Sequence, residues 1–204
     1  ASRVEAEYAD PDGPGWFDTP AGHDPNLKLR PRSLEDGAVP SGLSQMAELC
    51  LRLYGLTGED TWRARVTGVL AAMASALERF PSAFGALLSV MAVMESGQVE
   101  LGLICGNQDR DHWPLLQRAR GRLRPELTVG VGRLTPEQQE ADSGPALVLH
   151  RAQIERSPTA YVCRRLACRL PVTGGTALEQ ELDEARTAYA ATNAMPGVEV
   201  GDDD

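Results

Sequence analysis

The chain has 204 residues, 20 Lys+Arg against 29 Asp+Glu, and a formal net charge of −9. That length suits one domain or two small ones, and it buries enough surface to fold without disulfides or a metal. The acidic balance excludes a general binder of nucleic acid or of an anionic membrane, which would carry a basic footprint.

Residues 1–40 are rich in breakers, including Pro11, Gly13, Pro14, Gly15, Pro20, Gly22, Pro31, Gly37 and Pro40. They read as a loop draped over another surface. Leu43, Met46, Ala47, Cys50, Leu53 and Tyr54 recur at helical spacing, with Ser41 as N-cap, so a helix is expected over 43–56. A second helix starts at Asp60 or Thr61, carries Trp62, Val66, Val69, Met73 and Leu77 on one face, and stops at Pro81. A third runs from Ser82 to Glu95 and ends at Gly97. Short connections make this helical-hairpin grammar.

The period then changes. Val99–Cys105 and Leu127–Val131 read as strands, with a helix over 109–123 between them. Thr135–Asp142 begins with a good helix start, and Ala146–Leu149 and Ala160–Cys163 read as further short strands. Thr176–Ala191 is a last helix. Strand and helix alternate, which implies a small, mostly parallel sheet. The expected organisation is a loop plus helical hairpins over 1–97, a small α/β domain over 98–195, and an acidic tail over 196–204.

The chemistry-bearing residues are few. Gly106 follows a strand but lacks the companion glycines of a phosphate loop, and Gly130-Val131-Gly132 is equally incomplete. His23, His112 and His150 have no zinc-like spacing, so no metal or cofactor is expected. Ser41 is not a nucleophile elbow, since no strand precedes it. Asp18, Asp24, Glu35 and Asp36 lie near Arg30 and Arg32. They read either as acid–base carboxylates acting on a sugar or as a loop held by Asp–Arg pairs and backbone hydrogen bonds.

Cys50 and Cys105 sit in apolar runs and read as small buried hydrophobes. Cys163 and Cys168 are five apart, which in one continuous strand puts them about 17 Å apart on opposite faces. They pair only if residues 164–167 form a turn, and are otherwise two structural thiols. As a redox pair they would have Arg164, Arg165 and Arg169 beside them to favour a thiolate.

Several segments, taken in order, resemble one family. They are Trp16-Phe17-Asp18-Thr19, Arg30-Pro31, Asp36-Gly37-Ala38-Val39-Pro40-Ser41-Gly42, Leu51-Arg52-Leu53, Leu56-Thr57-Gly58, Pro158-Thr159-Ala160-Tyr161-Val162-Cys163, Cys168 and Pro171-Val172-Thr173. Together they are similar to the C-terminal part of thioredoxin-domain-containing proteins of the spermatogenesis-associated type. The likeness runs from about residue 13 to about residue 183. It implies a parent with a thioredoxin-like domain, then an α/α toroid of six hairpins like that of sugar epimerases and glycosidases, then a small α/β segment. Leu43 stands where the family usually has Asn, and Cys105-Gly106-Asn107-Gln108 replaces its usual acidic or Pro-containing turn.

Three expectations follow from the resemblance. The first is a non-catalytic C-terminal portion that needs the missing toroid hairpins and thioredoxin-like domain, in cis or as a separate chain. The second is a carbohydrate-active toroid with Asp18, Arg30, Asp36 and Ser41 at the cavity mouth. The third is a thiol-redox partner acting through Cys163 and Cys168. No run of eighteen apolar residues reads as a membrane span, and sparse cysteines without a visible leader point to the cytoplasm.

Overall fold

The computed structural model of the chain describes residues 2–22, 26, 29–106, 111–133 and 144–193. The expected helix Thr135–Asp142, the tail 196–204, His23, Asp24, Asn107 and Asp109 lie outside the described residues. The chain divides into two compact units, Ala1–Glu95 and Ser96–Asp204.

In the first unit, α1 is Ser2–Tyr8, α2 is Gly42–Thr57, α3 is Asp60–Arg79 and α4 is Gly85–Ser96. Ser41 caps α2, its hydroxyl accepting from the Ser44 N–H, which satisfies one orphan donor of the first turn. Gly58 closes α2 in the left-handed region (φ 73°), where a side chain would be strained, and its N–H donates to Tyr54 O. Asp60 in the first turn of α3 and Arg79 in its last complement the helix dipole. Helix α2 packs on α3. Their buried residues Ala47, Cys50, Leu51, Val66, Val69, Met73 and Leu77 join Leu87, Val90 and Val93 of α4 in one core. The third helix begins at Gly85 rather than Ser82, because Pro81–Ala83 forms a short 3₁₀ turn.

The expectation of a featureless loop over 1–40 is corrected by α1. At seven residues it is too short to show a helical period, and it is held by tertiary packing of Val4 and Tyr8 against the core. The loop that follows is fastened to the helices. Glu5 accepts from the Trp16 indole at 3.0 Å and pairs with Arg65 of α3 at 2.5 Å. Pro14 lies so close to Gly68 of α3 that an added Cβ would sit 3.0 Å from it.

In the second unit, β1 is Val99–Ile104, α5 is Trp113–Arg120, β2 is Leu127–Gly132, β3 is Thr159–Arg164, β4 is Ala167–Cys168 and α6 is Gly175–Asn193. The strand order is β2-β1-β3-β4. Among the described residues only the β1–β2 pair is parallel; β1–β3 and β3–β4 are antiparallel. The mostly parallel sheet expected from the sequence is therefore corrected to a mixed, mostly antiparallel one. The unit is α+β in character.

Two local events explain the correction. Ala146–Leu149 does not form a strand: the N–H groups of Val148 and Leu149 both turn back to Pro145 O. Its apolar residues are buried because the turn lies over two strand glycines. A Cβ on Gly102 would meet Leu147 O at 2.8 Å, and one on Gly132 would meet Val148 Cβ at 2.8 Å. Then β3 doubles back through Arg165 and Leu166 to make β4, a hairpin with no Gly or Asn to announce it. Helices α5 and α6 cover the sheet face that carries Val99, Leu101, Leu103, Ala160 and Val162.

Candidate functional site

The four residues expected at a cavity mouth are placed by the loop between α1 and α2. Asp36 reaches two helix starts at once: its Oδ1 accepts from the Ser41 N–H at 2.9 Å and its Oδ2 from the Ala86 N–H at 2.8 Å. Burial pushes its carboxyl up, but the Ser41 and Ala86 N–H groups and the Ser44 and Ser41 hydroxyls hold it below the usual carboxylate range. Ser41 is buried and serves as the cap of α2. Arg30 donates to Glu7 O at 3.0 Å and to Thr19 O at 2.6 Å. Arg30 and Arg32 both approach the Phe17 ring, their guanidinium carbons 3.9 and 4.1 Å from its centroid. Arg32 also pairs with Asp10.

Asp18 is exposed and accepts from the Ser33 hydroxyl at 2.8 Å. It lines a pocket of about 270 Å³ with Val4, Tyr8, Trp16, Phe17, Gly42 and Met46. Asp36, Arg30 and Ser41 are not among that pocket's lining residues. The four residues are thus neighbours in one loop system, but three of them are engaged with the chain's own backbone.

Cys163 and Cys168 are joined by a disulfide, with Cα atoms 3.9 Å apart. The turn that permits this is formed by Arg165 and Leu166, both in the left-handed region at φ 49° and 61°. The next ladder bond, Arg169 N–H to Val162 O, makes Cys163 and Cys168 a pair without mutual backbone bonds, where side chains come closest. The flanking arginines are engaged. Arg164 donates to Ala185 O and Ser96 O, and Arg169 pairs with Glu181 and Glu184.

Opposite Cys163 on β1 is Glu100, which no motif singles out. It is 1% exposed. Its Oε2 accepts from the Leu166 N–H at 3.4 Å, and the Arg165 N–H also hydrogen-bonds the carboxylate. Its Oε1 is buried and has no hydrogen-bond partner among the described residues. Burial pushes the carboxyl up to about 7, opposed by those two N–H groups and by the Arg164 charge. The only sequence signal for Glu100 is a single acid inside the apolar run Val99–Ile104.

A third cluster sits at the carboxyl ends of the parallel pair, where α/β folds place ligand crevices. Cys105, Asp111 and His112 bring their ligand atoms within 4.8 Å of one another. Arg133 occupies the same place, donating to Cys105 Sγ at 3.4 Å and lying 3.3 Å from His112 Nδ1. A guanidinium there competes with any cation. The Gly106 N–H donates to Asp111 Oδ2 at 2.9 Å. Sequence spacing missed this cluster because Arg133 comes from the end of the next strand. Burial raises the Cys105 thiol, with Arg133 opposing, and buries Cys50 so that its thiol rises to about 11. Both cysteines are free and buried, as small hydrophobes are.

The chain is similar to spermatogenesis-associated protein 20. It is 29% identical to the human protein over 167 residues, which is 81% of this chain and 21% of that protein. Against the mouse protein it is 28% identical over 178 residues, 87% of this chain and 22% of the relative. An uncharacterized protein of Caenorhabditis elegans is 24% identical over 160 residues, 77% of this chain and 21% of that protein. The chain thus spans about a fifth of the length of the curated relatives it matches. No family model and no solved structure matches it. No helix among the described residues is long and apolar enough to cross a membrane.

Proposed function

We propose that this chain works as the C-terminal portion of a larger multidomain protein, in which its helical unit completes an α/α toroid and is non-catalytic by itself. The missing hairpins and a thioredoxin-like domain supply the remainder, in cis or as a separate chain. The observation that carries this reading is the engagement of Asp36, Arg30 and Ser41. Each makes its hydrogen bonds to backbone groups that shape the loop and start α2 and α4. A carboxylate that caps two helices is not a free general base.

The pocket at Asp18 is the place where a carbohydrate-active reading can be tried, since Tyr8, Trp16 and Phe17 line it. The test is calorimetric titration of the chain with mono- and disaccharides, beside the Asp18→Asn and Asp36→Asn variants. The structural reading expects no saccharide heat in any of them and lowered stability in Asp36→Asn. Saccharide binding abolished by either substitution contradicts it.

A second reading is favoured by the Cys163–Cys168 disulfide: the second unit exchanges thiols with a dithiol partner. Cys168 is the half-buried sulfur and Cys163 the buried one, so an incoming thiolate meets Cys168 first.

A further inference from the structure

Glu100, Cys163 and Cys168 form one row across three strands. Glu100 is the register partner of Cys163, and Cys163 is the register partner of Cys168. Directly opposed residues in antiparallel strands share a face, with Cβ atoms about 5 Å apart. The acid therefore stands beside the disulfide on the same face of the sheet. Its carboxylate also holds the amides of the Arg165–Leu166 turn that carries one sulfur over the other. Burying an acid with an unpartnered oxygen costs free energy, and sheet pairing does not require it.

We infer that Glu100 is the proton donor and acceptor of the Cys163–Cys168 pair in thiol–disulfide exchange. The inference rests on the redox reading above. In the reducing direction a thiolate of a dithiol reductant attacks Cys168 Sγ. The bond between the two protein sulfurs breaks and its electron pair goes to Cys163 Sγ. That sulfur, buried and without solvent, takes the proton of the Glu100 carboxyl. The second thiol of the reductant, as thiolate, attacks its own sulfur in the mixed disulfide and releases Cys168 as a thiolate, which solvent protonates. The reductant leaves as a disulfide, the protein holds two thiols, and Glu100 regains its proton from water. Oxidation is the reverse, with Glu100 removing the Cys163 proton.

The groups facing Glu100 are consistent with that role. Gln98, just before β1, donates to Thr128 Oγ1 at 2.9 Å, and Thr128 is the residue opposite Glu100 on β2. Both are neutral. From β3 come Cys163 and the Arg164 charge, with Tyr161 one pair along donating its hydroxyl to Ala152 O. From the turn come the Arg165 and Leu166 N–H groups. Burial places the Glu100 titration near 7, so the acid form is present below that pH.

The test is the rate of reduction of the intact chain by dithiothreitol, read by thiol alkylation and mass, from about pH 6 to about pH 8.5. Each rate is divided by the reductant's own thiolate fraction. The Glu100→Gln variant keeps a carbonyl oxygen for the turn amides and loses only the proton. The wild-type chain is expected to react about tenfold faster than the variant at pH 6, with the ratio falling toward one above pH 8. Equal rates at every pH overturn the role of Glu100 and leave the redox reading standing. A disulfide that resists reduction in both proteins overturns the two together. Should the variant fail to fold, the corrected wild-type profile alone decides: an inflection near 7 supports the inference, and a flat profile overturns it.

Discussion

Glu100 and Cys163 are register partners across the β1–β3 pair, and both are buried. The acid is held under the Arg165–Leu166 turn by the turn's own amides, while Cys168 stays half-buried on the outer strand. The two sulfurs therefore stand in different surroundings: one beside a buried acid, the other within reach of solvent.

The first prediction concerns stability against pH. The Glu100 carboxyl titrates near 4.3 in the unfolded chain and at about 7 in the folded one. Between those values the folded chain keeps a proton that the unfolded chain has released. Stability contributed through Glu100 therefore falls as pH rises from about 4.5 to about 7, and is level above that. The difference approaches roughly 3–4 kcal/mol. Urea unfolding of wild type and Glu100→Gln at several pH values checks it: the wild-type curve should slope down relative to the variant across that window, and parallel curves contradict the assignment.

The second concerns the hairpin. Arg165 and Leu166 occupy left-handed backbone that favours Asn and Gly. The double change Arg165→Asn, Leu166→Gly should stabilise the oxidised chain by about 1 kcal/mol. Reducing the disulfide, which closes a short loop, should cost about 2 kcal/mol. Thermal melts of each form, with and without reductant, measure both.

The third concerns Asp36. Its carboxyl sits below the usual range, so its contribution is fully present above the unfolded value near 3.9 and is lost as pH falls through the folded value. Asp36→Ala removes an acceptor from the starts of α2 and α4 and should cost about 1–2 kcal/mol at neutral pH. The cost should shrink in acid. Denaturant midpoints at neutral and acidic pH test this, and an unchanged midpoint at neutral pH contradicts it.

The fourth concerns close packing over the sheet. A Cβ at Gly102 meets the backbone oxygen of Leu147, which cannot move without shifting the buried turn. Gly102→Ala should therefore destabilise by about 1–3 kcal/mol. Gly22→Ala is a contrasting case: nothing lies within 4 Å, and its φ of 74° is the sole source of strain. Its cost should be smaller, about 1 kcal/mol.

How much of this was legible in the sequence follows from the range of the interactions. Helices α2 and α3 are long enough for their apolar period to show, and Ser41, Gly58 and Pro81 punctuate them. Strands β1, β2 and β3 are apolar runs between breakers, and their cores match the expected segments. Helix α1 was invisible because seven residues give no period. The direction of β3 was not readable because the apolar segment Ala146–Leu149 is buried as a turn, over glycines distant in sequence. Spacing alone does not decide the disulfide, since it depends on a turn formed by residues of poor turn chemistry. Glu100 and Arg133 reach their partners only through strand register, which a linear pattern does not contain.

The central claim is that this chain is one portion of a larger protein. The most direct measurement is its mass in solution by light scattering, alone and co-expressed with the toroid-hairpin and thioredoxin-like portions that the proposed assembly calls for. A stoichiometric complex, together with self-association of the chain when expressed alone, is the predicted result. A monodisperse monomer that forms no complex would contradict it.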